Sequence, residues 1–264
     1  MSKLNLRRIE IAYDDVGAGP AILFLHGFPF NRSMWREQID LLSPEFRVVA
    51  PDLRGHGEST VAPKATVDEM AQDVVALLDA LNISEAVICG LSLGGYVTLA
   101  LYRLFPARVR ALVLADTRAV ADTEEGKLTR EQQAQKVMQE GMATSADSML
   151  AKLVAPVTVA KRPEVVSRVR AMILKTDPAG VAATQRGMAE RPDSIDLLPE
   201  IKVPTLIICG ELDQLTPVAE SERMHRLIDG SQLAVIADAA HMSNLERPEQ
   251  FNRVLTNFLH QLNS

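Results

Sequence analysis

Short apolar runs alternate along this 264-residue chain with longer amphipathic segments, and this alternation most constrains the fold. Apolar runs rich in valine, isoleucine and leucine, with helical patterns between them, are typical of parallel strands buried on both faces. The alternation therefore predicts an α/β fold whose mostly parallel sheet is covered by helices on both faces. An antiparallel-looking segment at 5–13 precedes six candidate strands at 21–25, 47–50, 86–90, 111–115, 204–210 and 232–236.

Two of the intervening segments carry clear helix signals. Thr66 and Glu69 have the spacing of a capping box, directly before apolar positions at helical intervals. A second amphipathic pattern runs over 248–262. Both segments are therefore predicted to be helices that cover the sheet.

The stretch 118–198 interrupts the alternation because it contains no convincing strand. Helical patterns fill it at 123–141, 145–154, 162–174 and 179–188, and prolines between them are expected to start or end helices. We interpret 119–196 as a helical cap inserted into the core and lying over one end of the sheet. The core is then formed by 1–118 and 197–264.

Composition limits the classes of function. Hydrophobic residues make up 47% of the chain and charged residues 23%, which is usual for a globular protein with a large core. The net charge of −6, with no Lys/Arg run longer than a pair, argues against a nucleic-acid partner. No apolar stretch approaches the ~20 residues of a membrane span, and no secretory signal is visible. We expect a cytoplasmic protein without a membrane partner.

The most specific motif is Gly90-Leu91-Ser92-Leu93-Gly94-Gly95, between a candidate strand and a helical segment. A nucleophilic serine on a sharp strand-to-helix turn needs small neighbours, because the turn is crowded. The following helix N-terminus can also direct a backbone N–H at an oxyanion. Ser92 is therefore a candidate nucleophile, and an incidental serine in a glycine-rich turn is the alternative.

A nucleophilic serine needs a base, and the base needs an orienting acid. Among the five histidines, His241 follows the last strand in a loop from which it could reach Ser92. His26 and His56 lie in glycine-rich loops and are interpreted as structural. His225 and His260 are expected at the surface.

Asp213 is the favoured orienting acid because it follows a late strand, 28 residues before His241. The chain order serine, acid, histidine is the one expected when the serine lies on such a turn. Asp116, Glu211 and Asp238 remain the alternatives.

A second loop carries a further feature, Leu25-His26-Gly27-Phe28-Pro29, directly after a strand. The N–H groups of Phe28 and Leu93 could together form an oxyanion hole.

These motifs carry a resemblance when they are taken together and in order. They are Leu25-His26-Gly27-Phe28-Pro29, Asp52-Leu53-Arg54-Gly55-His56-Gly57-Glu58-Ser59, Gly90-Leu91-Ser92-Leu93-Gly94-Gly95, Gly210-Glu211-Leu212-Asp213 and His241. The chain resembles an α/β-hydrolase over nearly its whole length. The resemblance implies an eight-stranded, mostly parallel sheet with a helical cap after the sixth strand. It also implies that the strands bearing Cys89 and Cys209 are not neighbours, so both thiols are expected free and buried.

Within that family the chain is similar to small-ester esterases, perhydrolases and the 3-oxoadipate enol-lactonase branch. Relatives that use an aspartate nucleophile are excluded, because this chain has Ser92 at that position. The resemblance implies a serine hydrolase that cleaves a small-molecule ester or lactone. The alternatives are an acyltransferase or perhydrolase, a carbon–carbon bond hydrolase, and a ligand receptor without turnover.

Neither a metal nor a nucleotide cofactor is expected, because ligand spacings such as His-Glu-x-x-His and a complete dinucleotide-binding fingerprint are missing. The pocket is expected between the sheet and the cap, and Arg118 could pair with a substrate carboxylate. The candidate pocket residues are Phe28, Trp35, Tyr96, Arg118, Met138, Met142, Leu150, Val154 and Leu215.

Overall fold

The computed structural model describes residues 2–262 and centres on one eight-stranded sheet. The strands are β1 (Ser2–Leu6), β2 (Ile9–Val16), β3 (Ala21–Leu25), β4 (Arg47–Pro51), β5 (Ala86–Leu91), β6 (Val109–Ala115), β7 (Thr205–Gly210) and β8 (Gln232–Ile236). Their order across the sheet is β1-β2-β4-β3-β5-β6-β7-β8. Six strands, β4, β3, β5, β6, β7 and β8 in this order, run parallel to one another. Strand β2 pairs antiparallel with β4 on one side and with β1 on the other. The predicted α/β architecture is confirmed.

One detail of the sheet differs from the sequence prediction. The segment 5–13 is not a single strand, because the chain reverses between β1 and β2. Arg7 and Arg8 both have positive φ, at 47° and 69°, which gives the tight reversal of a two-residue hairpin. The hydrophobic alternation could not locate this turn, since neither residue is a glycine or an asparagine.

Residues 2–262 also form ten α-helices. They are α1 (Arg36–Leu42), α2 (Val67–Ala80), α3 (Leu93–Leu104), α4 (Glu124–Leu153), α5 (Pro156–Lys161), α6 (Pro163–Lys175), α7 (Pro178–Ala189), α8 (Val218–Leu227), α9 (Ser243–Glu246) and α10 (Pro248–Gln261). The capping box is present at α2, where the Thr66 hydroxyl accepts the Glu69 N–H and Glu69 accepts the Thr66 N–H. The two predicted helices at 66 and 248 are confirmed.

The sheet separates two apolar cores, since successive side chains of a strand point to opposite faces. On β3, Ile22 and Phe24 belong to the core beneath α1 and α10. Leu23 and Leu25 belong to the core beneath α2, α3 and α8. Helices therefore cover both faces, and the carboxyl ends of the parallel strands meet at one edge, where a site can form.

Helices α4–α7, which we call the cap helices, lie between β6 and β7. Prolines occupy the first position of α5, α6 and α7, as the punctuation of the sequence predicts. The patterns at 123–141 and 145–154 are the two halves of α4, separated by a break at Gly141, where φ is 74° and ψ is −179°. The short helix α5 was not predicted.

The two cysteines are free and buried. Cys89 lies on β5 and Cys209 on β7, and β6 separates them, as the resemblance implies. In the described part of the chain, no helix combines the length and the apolar character that crossing a bilayer requires.

Candidate active site

Ser92 occupies the sharp turn between β5 and α3. Its φ of 55° and ψ of −110° are unusual for a residue other than glycine. This backbone conformation places the serine at the end of the strand. The turn is also crowded. A Cβ on Gly90 would lie 2.2 Å from the Gly94 carbonyl oxygen, and one on Gly94 would lie 2.1 Å from that of Leu25. The predicted need for glycine at both positions therefore has a direct steric cause.

Asp213 and His241 form a buried pair at the same edge of the sheet. Asp213 follows β7 and His241 follows β8, and neighbouring parallel strands bring the two loops together. The distance between His241 Nδ1 and Asp213 Oδ2 is 2.7 Å. Asp213 Oδ1 accepts the N–H groups of Leu215 and Thr216, and its Oδ2 accepts the Thr216 hydroxyl. The carboxylate is thereby fixed against the imidazole ring.

The charges of this pair stabilise one another. Burial opposes ionisation of Asp213, but His241 and the hydrogen bonds from His241 and Thr216 outweigh it, so the pKa of Asp213 is lowered. Burial also disfavours the imidazolium, but the charge and hydrogen bond of Asp213 outweigh that effect and raise the pKa of His241. Such a pair holds the proton on Nδ1 and leaves Nε2 as the basic nitrogen.

The three alternative acids are engaged elsewhere. Glu211 and Asp238 are exposed, and Glu211 accepts the N–H of Asp238. Asp116 is fully buried, but it accepts the Gly210 N–H and the Ser243 hydroxyl rather than His241. Burial, together with the nearby Asp213 carboxylate, raises the pKa of Asp116 to about 8. Asp213 is therefore the acid that contacts the histidine.

Two further histidines near the site have structural partners. His26 Nε2 accepts the Leu53 N–H at 2.9 Å, so Nδ1 carries the proton and donates to the Gly27 carbonyl. Burial lowers the pKa of His26, in keeping with a neutral ring. His56 Nε2 lies 3.0 Å from the Thr184 hydroxyl on α7. These rings connect loops and a cap helix. The sequence predicts a structural role for both histidines but not the contact with α7.

The two candidate oxyanion-hole residues are Leu93, directly after Ser92, and Phe28, after β3. Leu93 is the first residue of α3, so its N–H has no acceptor within the helix. Phe28 lies in the loop after β3, and its side chain lines the same cavity as Ser92. A helix N-terminus also stabilises negative charge placed beside it.

Ser92 and His241 both line a cavity of about 390 Å³ between the sheet edge and the cap helices. That volume is within the usual range for small-molecule sites. The lining residues are Phe28, Ser92, Tyr96, Arg118, Arg130, Gln133, Lys136, Val137, Ser145, Ser148, Met149, Lys152, Leu153, Val181, Gln185, Met188, Leu215, Thr216 and His241. Among the predicted wall residues, Phe28, Tyr96, Arg118 and Leu215 lie on this cavity.

Several predicted wall residues do not lie on it. Trp35 is fully buried in the core, with its ring centroid 4.8 Å from that of Phe24 and 6.1 Å from that of Phe251. Met142 is also buried in the core, whereas Met138 is 55% exposed. Leu150 packs beside the core and Val154 within it. These assignments were wrong because an apolar residue type does not reveal which side of a helix faces the cavity.

The cavity has a cationic side that the sequence analysis found only at Arg118. Arg130, Lys136 and Lys152 also line it, and within residues 2–262 no carboxylate does. All three lie on α4, Arg130 and Lys136 in the half before the break at Gly141 and Lys152 in the half after it. Their charge was the available signal, but the sequence does not show which cations of α4 face the cavity.

A buried carboxylate organises two of these cations. Asp122 binds Arg118 at 2.7 Å and Arg191 at 2.8 Å, and it also accepts a hydrogen bond from Arg130. Burial opposes ionisation of Asp122, but the arginine hydrogen bonds outweigh it and hold its pKa well below the usual range. One negative charge is matched by three positive charges, so the cluster is net cationic, and Arg118 and Arg130 bring that charge to the cavity lining.

Comparisons with known proteins agree with this architecture. The family model of the alpha/beta hydrolase fold matches residues 20–248. A 3-oxoadipate enol-lactonase from Acinetobacter baylyi is 34% identical over 240 residues, which cover 91% of this chain and 88% of the relative. A second enol-lactonase of that organism is 31% identical over 263 residues, covering 98% and 97%.

Solved structures give the same result. A thermophilic esterase from Thermogutta terrifontis, solved with malate bound, is 42% identical, covers 100% of this chain and 99% of that chain, and has a TM-score of 0.97. An enol-lactonase from Burkholderia xenovorans is 30% identical, covers 98% and 100%, and has a TM-score of 0.92. The chain therefore belongs to the α/β-hydrolase fold family, as an esterase- and enol-lactonase-like member.

Proposed function

We propose that this chain hydrolyses small carboxylic esters or lactones through an acyl-enzyme on Ser92. One observation carries the proposal. Ser92, held at positive φ on the turn after β5, lines the same cavity as His241, which is hydrogen-bonded to Asp213. The esterase and enol-lactonase relatives support ester or lactone cleavage.

The first half of the reaction forms the acyl-enzyme. Ser92 Oγ attacks the substrate carbonyl carbon while His241 Nε2 takes the hydroxyl proton. Asp213 stabilises the imidazolium that forms. The tetrahedral intermediate then collapses, the bond to the leaving oxygen breaks, and His241 returns its proton to that oxygen.

The backbone N–H groups of Phe28 and Leu93 act on the negative oxygen of the intermediate. Each such donor contributes roughly 10²–10³-fold to the rate in serine hydrolases. The dipole of α3 adds to the stabilisation, because its positive end lies at Leu93.

The second half releases the acid. Water enters the cavity, His241 removes its proton, and the hydroxide oxygen attacks the acyl carbon. The second tetrahedral intermediate collapses, and the proton passes from His241 to Ser92 Oγ. The free carboxylic acid leaves, and the triad returns to its starting state.

The cavity favours a substrate with an anionic or strongly accepting group away from the reacting carbonyl. Arg118, Arg130, Lys136 and Lys152 lie on the lining, and only the first two share the Asp122 carboxylate. A carboxylate desolvated there would gain charge-assisted hydrogen bonds. The malate bound to a similar esterase is in line with an organic anion. We also propose that residues 119–196 form the cap that closes this cavity.

The direct test compares the two buried aspartates. Hydrolysis of p-nitrophenyl acetate and butyrate is measured for the wild type, Ser92→Ala, Asp213→Asn and Asp116→Asn. Ser92→Ala should abolish turnover. Asp213→Asn should lower kcat by about 10⁴, because the imidazole loses its correct tautomer.

Asp116→Asn is the matched control. Its amide oxygen can still accept the Gly210 N–H, and its NH2 can donate to the Ser243 hydroxyl in the reverse direction. It should therefore retain kcat within about ten-fold. Equal losses in the two asparagine variants would contradict the assignment of Asp213 as the orienting acid.

The pH profile gives an independent check of the base. His241 must be neutral to accept the serine proton, and its pKa is raised above the usual value by Asp213. The value of kcat/KM should therefore rise with pH, and the midpoint of the rise should lie above the pKa of a free histidine, which is roughly 6.5. A midpoint below that value would contradict the assignment of His241, paired with Asp213, as the base.

A further inference from the structure

Glu246 is a fully buried carboxylate that the reaction described above does not use. It ends α9, five residues after His241. Glu246 Oε1 accepts the Ala240 N–H at 2.8 Å, and Ala240 directly precedes the histidine. One oxygen of this side chain therefore fixes the backbone on which His241 is carried.

The other oxygen of Glu246 contacts the cap. Its Oε2 accepts the Ala155 N–H at 2.7 Å and the Thr158 hydroxyl at 2.6 Å. Ala155 precedes α5 and Thr158 lies within it, and both are fully buried. A single carboxylate thus joins the cap to the loop that carries His241.

Two arginines lie beside Glu246, but they bond its main-chain oxygen rather than its carboxylate. From the cap, Arg162 donates to the main-chain oxygen of Glu246 at 3.0 Å, and Arg247 donates to the same oxygen at 2.9 Å. Burial lowers the pKa of His241, but the carboxyl groups of Asp213, which contacts the ring, and of Asp116 and Glu246, which lie further away, all act to raise it.

We propose that Glu246 is a positioning residue. By contacting both Ala240 and helix α5, it fixes the loop that carries His241 relative to the cap helices. The inference rests on the proposed function, in which His241 is the base for Ser92. Hydrogen bonds from buried N–H and O–H donors to a carboxylate are short and strong, so Glu246 ties the loop to α5. A displacement of α5 would then displace the imidazole, and small errors in such geometry are costly to the rate.

Two isosteric substitutions separate the two sides of Glu246. Glu246→Gln removes the charge and leaves one of the buried N–H groups opposite an NH2 group. Thr158→Val removes only the hydroxyl contact on the cap side and changes no charge. Thr129→Val is the matched control, because its exposed hydroxyl bonds only to Glu125 O within α4.

Each variant is assayed for kcat, KM and the pH midpoint of kcat/KM with p-nitrophenyl butyrate. Glu246→Gln should lower kcat about ten-fold with little change in KM. The pH midpoint of kcat/KM for this variant should move to lower pH, because a negative charge near His241 is lost. Thr158→Val should lower kcat about three-fold without moving the midpoint. Thr129→Val should match the wild type.

The result that overturns the proposal is equally specific. A Glu246→Gln variant with wild-type kcat and midpoint would leave Glu246 a purely structural residue. If Glu246→Gln fails to fold, Thr158→Val decides, and a kcat equal to that of Thr129→Val would refute the link to the cap. Phosphonate labelling of wild-type Ser92 distinguishes failure of the proposed function from failure of the role proposed for Glu246. Without labelling the proposed function fails, whereas labelling with unaffected variants refutes only the role of Glu246.

Discussion

Helices α7 and α4 are both cap helices, but their glycines have different surroundings. On α7, a Cβ on Gly180 would lie 1.9 Å from the Gly55 carbonyl oxygen, and one on Gly187 would lie 1.9 Å from that of Ala65. Thr184, between them on the same helical face, contacts His56 at 3.0 Å. The backbone of α7 therefore lies directly against two points of the loop between β4 and α2.

On helix α4, Gly141 has a different role from the packed glycines of α7. Gly141 has a φ of 74°, and a Cβ there would meet nothing within 4 Å. The glycine breaks the helix into two halves that both line the cavity, one with Arg130 and the other with Lys152. Glycine permits a close approach on α7, whereas on α4 it permits a change of direction.

The two cap helices therefore differ in what they do. Helix α7 packs on the core through backbone contacts at Gly180 and Gly187 that leave no room for an added Cβ. Helix α4 shapes the cavity through side chains, and its two halves are oriented by one backbone conformation. We therefore expect substitutions at the packed glycines of α7 to act on stability, and substitutions at Gly141 and on the cavity side of α4 to act on substrate binding.

The largest effect should come from Gly187→Ala. The added methyl group cannot fit against the Ala65 carbonyl, so α7 must shift away from the core. We expect the free energy of unfolding, measured in urea, to fall by about 2–3 kcal/mol. Gly126→Ala on α4 is the control, since its nearest neighbour would be 3.3 Å away, and it should change stability by less than about 1 kcal/mol. Equal losses would remove the distinction between the two helices.

A smaller loss of stability, with a change in binding, is expected for Gly141→Ala. Alanine disfavours the backbone angles at this position by about 1–2 kcal/mol, but it meets no steric obstacle. Realignment of the two halves of α4 should raise KM for p-nitrophenyl butyrate. An unchanged KM in steady-state kinetics would show that the break does not shape the cavity.

The smallest effect is expected for Met138→Gln. This side chain is 55% exposed on α4 and does not line the cavity. Its replacement should leave stability within about 0.5 kcal/mol and leave KM unchanged. Met149→Gln, on the cavity side of the same helix, should raise KM for the butyrate ester. Thermal denaturation and steady-state kinetics of the two variants decide whether α4 has the inward face described here.

The same contrast explains what the sequence could predict. The turn around Ser92 is local, because Gly90 and Gly94 are required by contacts within a few residues of the serine and with one neighbouring strand. Asp213 and His241 could be assigned because parallel strands place successive loops at one edge. These features follow from short-range patterns and from chain order.

The pocket wall could not be predicted in the same way. Trp35 is removed from the cavity by Phe24 and Phe251, the latter more than 200 positions away in the chain. The inward face of α4 depends on how α7 docks and on the break at Gly141, which are tertiary features. Residue type alone therefore placed Met138 and Met142 on the cavity and missed Lys152.

The most direct test of the account is covalent labelling of Ser92. The wild type, Ser92→Ala and His241→Ala are treated with a p-nitrophenyl phosphonate and digested, and the peptides are analysed by mass spectrometry. We predict one phosphonyl group on Ser92 in the wild type, none at that position in Ser92→Ala, and much slower labelling in His241→Ala. An unlabelled Ser92 in a folded wild type, or labelling that does not depend on His241, would contradict the account.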